Sequence, residues 1–185
     1  MRLPLQDISP QDSPLHAHEH PGERRLSIRP ATDGDADEIW EIFHAVVASG
    51  DTYTFDPNTS REEALSYWMN PTTHTFVASD GERICGTYIL RRNQAGGGAH
   101  VANAGFMVSP HTRRQGVGRA MAEDCLQQAA RLGFRAMQFN FVISTNEAAV
   151  ALWQSLGFAI VGTLPAAFRH PQRGFVDAFV MFRTL

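Results

Sequence analysis

Between Val108 and Met121 the chain reads V-S-P-H-T-R-R-Q-G-V-G-R-A-M: an apolar strand end, a short basic loop, then the opening of an amphipathic helix. This is an anion site by construction. Gly116 and Gly118 remove side chains where a ligand approaches the backbone, the first helical turn leaves N–H groups unpaired, and the helix dipole favours negative charge there. Arg113, Arg114 and Arg119 add charge around it, and a diphosphate fits these donors. A loop whose arginines are merely solvated has the same local sequence. The chain lacks G-x-x-x-x-G-K-[ST], and it lacks G-x-G-x-x-G with a trailing acidic residue, so nucleotide hydrolysis and dinucleotide binding lose support.

Apolar spacing around this segment alternates between periods of two and of 3.6 residues. Strands are expected at 26–30, 75–79, 84–91, 100–108, 134–143, 158–161 and 175–182. Helices are expected from Asp33 as N-cap to Gly50, from a Thr59/Glu62 capping box to Pro71, over Gly116 to Leu132 and over Asn146 to Leu156. Such a mixture predicts an α+β domain, an α/β/α three-layer arrangement with helices on both faces of one sheet. Residues 25–185 form the expected domain, and residues 1–24, Pro-rich with no periodic apolar positions, a flexible tail.

The partner classes are narrowed by composition. The net charge of −3 gives no basic face for a phosphate backbone, so no nucleic acid partner is expected. No run of 18 apolar residues occurs, which predicts no membrane partner and a cytoplasmic protein. Cys85 and Cys125 sit in apolar segments without ligand spacing. His16, His18 and His20 alternate, but a tail cannot fix coordination geometry, so no metal is expected.

A second pattern completes the first. Arg113, Gly116 and Gly118 reproduce R/Q-x-x-G-x-G/A, and Asn146, Ala149, Leu152, Gly157 and Phe158 reproduce N-x-x-A-x-x-L-x-x-x-x-G-F. In this order the pair resembles the general-control-related N-acetyltransferase superfamily (GNAT), over about residues 25–185. The resemblance implies a GNAT fold, a mixed and mostly antiparallel sheet with splayed central parallel strands, and acetyl-CoA as cosubstrate. It puts the backbones of Phe106, Met107 and Val108 along the pantetheine arm, with a backbone N–H near Met107 facing the developing oxyanion. Arg113 opens the diphosphate loop, and Arg114, Gln115, Gly116, Val117, Gly118 and Arg119 surround the diphosphate. Asn146 would hold the pantetheine or thiol end. Trp153 stands beside that end, where many members carry a tyrosine that protonates the departing thiolate. An indole N–H cannot supply that proton at neutral pH, and the same tryptophan has the spacing of a core residue.

The chain also resembles the fungal N-acetyltransferases that detoxify proline analogues such as azetidine-2-carboxylate, in which that tyrosine is likewise absent. Asn103, Asn140 and Asn146 match the spacing of their site asparagines, which would recognise substrate and position amine, water and thioester. By alternation, Met137, Phe139, Phe141 and Ile143 should share one face of their strand and Gln138 and Asn140 the other. A strand asparagine bonded to neighbouring backbone is the competing reading. Tyr53 and Phe55 are expected to wall the acceptor pocket, and 164–173 to close its far side, with Arg169 or His170 suited to a carboxylate. No Glu or Asp lies in the two splayed strands, so a water chain ordered by Asn140 is the preferred base, with His44, His74 and His100 as alternatives.

The resulting expectation is acetyl transfer to a small-molecule amine or imino acid, a proline analogue being the narrowest case. Acetylation of a protein or peptide, or a noncatalytic acyl-CoA sensor, are the other readings. A homodimer is expected by resemblance.

Overall fold

In the computed structural model, residues 26–185 are described; the expected tail at 1–24, with His16, His18 and His20, lies outside the described residues. The chain first lays down β1 (Ser27–Pro30), α1 (Ala36–Val47), α2 (Arg61–Trp68), β2 (His74–Ser79) and β3 (Ile84–Arg92). Then follow β4 (Val101–Val108), α3 (Val117–Arg131), β5 (Ala136–Ile143), α4 (Glu147–Ser155), β6 (Ala159–His170) and β7 (Gly174–Thr184).

The sheet order is β1-β2-β3-β4-β5-β7-β6, and every neighbouring pair is antiparallel except β4 with β5. This is the mixed, mostly antiparallel α+β sheet expected from the sequence. Period-two alternation divides its apolar side chains between two helical layers. Val77, Ile89 and Met107 meet Ile39, Phe43 and Trp68 of α1 and α2 on one face. On the other, Tyr88, Ala104 and Phe139 meet Met121 and Cys125 of α3 and Trp153 of α4. Both cysteines are free and buried.

Two irregularities shape the middle of the sheet. Strands β4 and β5 pair only at Val101↔Ala136 and Ala102↔Met137, and beyond that point they diverge. Strand β5 then bulges: it pairs with β7 at Phe139↔Met181 and again at Val142↔Phe179, so Asn140 and Phe141 stand against one fewer residue. The expected alternation through Phe141 and Ile143 therefore fails. Val142, not Phe141, rejoins Met137 and Phe139 in the core, while Phe141 is 37% exposed and faces Phe168 at a ring distance of 6.4 Å.

Three local expectations are also corrected. The α2 capping box is Ser60 with Glu63, one residue later than Thr59 with Glu62: Ser60 Oγ accepts from Glu63 N at 3.2 Å and Glu63 Oε2 from Ser60 N at 3.0 Å. Asp33 begins a short 3-10 turn instead of capping α1 directly. The stretch from Leu164 to His170, expected between the closing strands, belongs to β6, whose register shift between Leu164 and Phe168 hides the alternation.

Candidate active site

The loop before α3 is held from below and open above. Ser109 N and Thr112 Oγ1 both donate to Cys85 O, at 2.8 and 2.9 Å, which pins the loop to β3. Arg114 (φ 64°) and Gly116 (φ 79°) take left-handed backbone conformations, so successive N–H groups curve toward a common point. A Cβ on Gly116 would meet nothing within 4 Å, so glycine is required there by its φ. The first backbone bond of α3 is Ala120 N to Gly116 O, and no side chain caps the helix. The N–H groups of Val117, Gly118 and Arg119 are thus left for an anion. Arg113, Arg114 and Gln115 are exposed around them. Arg119 turns elsewhere, donating to Ser155 Oγ at 2.9 Å and pairing with Glu123 at 3.5 Å.

Below that loop lies the wedge between β4 and β5. Val101 O accepts from Asn93 N and Ser109 N donates to Cys85 O, so odd-numbered β4 residues point their backbone groups at β3. Phe106 and Val108 therefore point theirs into the wedge, and Met107 does not. The groups of Phe106 are met by a side chain: the Tyr53 hydroxyl donates to Phe106 O and accepts from Phe106 N, each at 2.9 Å. Burial pushes the Tyr53 phenol well above its usual value, with the bond to Phe106 pulling weakly the other way.

The three asparagines border the wedge in different ways. Asn103 spans it, its Nδ2 donating to Gln138 O at 2.9 Å just past the last paired residues. Asn140 is exposed at the bulge, where its Nδ2 donates to Asn93 Oδ1 at 2.7 Å and its Oδ1 accepts from Gln138 Nε2 at 2.8 Å. Asn146 caps α4, its Oδ1 accepting from Ala149 N at 3.3 Å. All three line one cleft of about 380 Å³, together with Tyr53, Phe55, Tyr67, Trp68 and Trp153.

A family model described as Acetyltransferase (GNAT) family matches residues 37–158. The chain belongs to that family.

Similarity to individual GNAT proteins extends further along the chain. N-acetyltransferase aca1 of Schizosaccharomyces pombe is 30% identical over 151 residues, covering 72% of each chain. A solved GCN5-related N-acetyltransferase from Kribbella flavida is 46% identical with a TM-score of 0.83, over 86% of this chain and 98% of that one. The fold is shared with yncA of Salmonella typhimurium, solved with its cofactor acetyl-CoA: 21% identity, TM-score 0.77, over 87% and 94% of the two chains. Acetyl-CoA is the cosubstrate of this GNAT enzyme, and the uncapped α3 turn with its left-handed loop suits the diphosphate.

Trp153 of this GNAT domain is 8% exposed, with its ring 4.6 Å from Phe139 and 5.0 Å from Phe106. It is a core residue that also forms the cleft floor. None of the alternative bases is in the cleft lining: His44 packs tilted against Trp40, His100 Nδ1 meets Gly97 O at 3.1 Å, and His74 is exposed at the start of β2. Arg169 and His170 also lie outside the lining. The cleft instead contains Arg91, which the strand pattern alone did not single out, and Thr52, whose buried Oγ1 has no hydrogen-bond partner among the described residues. Arg91 carries one sequence signal, a charge closing an otherwise apolar strand.

Proposed function

We propose that this enzyme transfers the acetyl group of acetyl-CoA to the nitrogen of a small amine or imino acid, a proline analogue being the narrowest case. The observation that carries the reading is the acceptor side of the cleft. It is small, walled by Tyr53, Phe55, Tyr67 and Trp68, and has no Asp or Glu in its lining among the described residues. A site for a lysine side chain or a basic peptide would need acidic partners there.

The chemistry then rests on position more than on acid and base groups. Acetyl-CoA supplies an activated acyl group on a thiol leaving group whose ordinary pKa is about 8.5, low enough to depart without full protonation. The wedge-facing N–H of Phe106, bonded to the Tyr53 hydroxyl in the free protein, would have to exchange that bond for the acyl oxygen to stabilise charge there. Asn103 would recognise the acceptor. Asn140, tied to Gln138 and Asn93 at the exposed rim, would order water that carries the amine's proton to solvent. Asn146 would steady the thioester end from the start of α4.

The test is free-thiol release from acetyl-CoA with azetidine-2-carboxylate, proline derivatives, methionine sulfoximine and a short basic peptide, alongside calorimetric coenzyme binding. Turnover with the small acceptors supports the reading. Turnover with the peptide alone overturns it in favour of protein acetylation, and binding without any turnover in favour of a sensor.

A further inference from the structure

Among the described residues, Arg91 is the only charged side chain lining the cleft. Its Nη2 donates to the Tyr67 hydroxyl at 2.7 Å, and its guanidinium carbon lies 4.9 Å from the centroid of the Tyr67 ring. Both contacts are with a neutral residue. Among the described residues no carboxylate pairs with Arg91, although Arg29, Arg61 and Arg119 each have one. Tyr67 fixes the guanidinium in direction while leaving most of its donors unused, which is how an arginine is held ready for a planar bidentate anion.

The position matters as much as the charge. Arg91 opposes Asn103 in the β3–β4 ladder, so the two side chains stand on one face of the sheet as cross-strand neighbours. That is the face of Ile89 and Met107, covered by α1 and α2. The diphosphate loop opens α3, which covers the opposite face. Arg91 is therefore on the other side of the sheet from the coenzyme's anionic end. Arg92 lies outside the cleft lining, and with Arg91 it borders a separate depression at Thr72.

We propose that Arg91, held by Tyr67, is the carboxylate anchor of the acceptor pocket, so that the acceptor is an amino or imino acid and not a simple amine or a polyamine. This rests on the small-acceptor reading above and narrows it. The carboxylate sits on the guanidinium fork, and the Asn103 amide, across the ladder, lies toward the acceptor nitrogen. Among the described residues no acidic lining residue competes for the guanidinium, and none attracts a second ammonium.

The experiment compares steady-state rates on matched acceptors, azetidine-2-carboxylate with azetidine-2-carboxamide and methionine with methioninamide, plus a short basic peptide. The carboxamides carry the less basic nitrogen and so more free nucleophile, which biases the comparison against the proposal. Wild type should prefer the carboxylates in kcat/KM, and Arg91→Gln should raise their KM by roughly thirty-fold and erase the preference. Arg91→Lys should restore part of it, since it keeps the charge and loses the fork. Tyr67→Phe provides a variant that leaves the charge in place, and a several-fold rise in carboxylate KM is expected from it. Calorimetric coenzyme binding checks that each variant is folded. A wild-type ratio near one, or a preference that survives Arg91→Gln, overturns the anchor and leaves the small-acceptor reading standing. Acetylation of the peptide alone overturns both.

Discussion

The Tyr53 hydroxyl closes a two-point contact with the backbone of Phe106, donating to its carbonyl and accepting from its N–H at 2.9 Å each. These are wedge-facing groups of β4 that the acetyl end of the coenzyme would use in the proposed mechanism, so hydroxyl and coenzyme would compete for them. Tyr53→Phe should lower the thermal midpoint of the free protein, since one part-buried hydrogen-bond set is worth about 0.5–1.5 kcal/mol. It should also tighten acetyl-CoA binding, by roughly two- to ten-fold on the same scale. Calorimetry decides, and weaker binding would mean that Tyr53 helps to hold the coenzyme.

Gly116 is held at φ 79° with open space where its Cβ would be. A Gly116→Val change therefore strains the loop without a clash, at a cost of about 1–3 kcal/mol. Acetyl-CoA affinity should fall by roughly ten-fold or more, while kcat at saturating coenzyme changes little. A kcat loss with affinity intact would move the diphosphate away from this loop.

Asn140 lies in the β5 bulge and holds both Gln138 and Asn93. If it orders the water that takes the amine's proton, Asn140→Ala lowers kcat by roughly 100-fold with the acetyl-CoA Kd nearly unchanged. Equal loss in both would make Asn140 a structural strut of the wedge.

The turn before α1 gives a pH signature. Arg29 donates both of its Nη groups to Asp35 at 2.8 Å, and Thr32 N donates to the same carboxylate at 2.7 Å. The Arg29 bonds, opposed by burial and helped by Thr32, hold the Asp35 carboxyl well below the usual carboxylate range. A folded-state value below the unfolded one, near 3.9, means stability that is fully present above about pH 5 and lost as pH falls through and below 3.9. Asp35→Ala should cost about 1–2 kcal/mol near neutrality and flatten the acid limb of a melting-temperature profile. An unchanged acid limb would assign the loss to other carboxylates.

The local structure of the two segments proposed for the coenzyme was legible from order along the chain. The α3 loop and the α4 cap are built from consecutive residues, Arg113–Arg119 and Asn146–Ala149, so spacing alone identifies them. Helix and strand types followed from periodicity, and most boundaries moved by one to three residues, as at Ser60, where serine and threonine are both preferred N-caps, but β6 ran on to His170. The acceptor side was legible only in part: Tyr53, Phe55 and Asn103 were expected there and line the cleft, whereas Tyr67 and Arg91 were not singled out. Phe141 leaves the face of Phe139 because β7 is one residue short across from it, a fact of pairing that no period in β5 encodes.

Local sequence determined that this chain has a glycine-opened helix start with no side-chain cap beside an apolar strand, a capped second helix and the elements of a GNAT sheet. Only the tertiary structure decided what borders the cleft: Tyr53 on Phe106, 53 residues away, Asn140 on Asn93, 47 away, and Arg91 facing Asn103 across the β3–β4 ladder. The physical reason is range. Backbone dihedrals, caps and glycine loops are set by neighbours within a turn, whereas a pocket wall is set by sheet register and by where two parallel strands stop sharing hydrogen bonds.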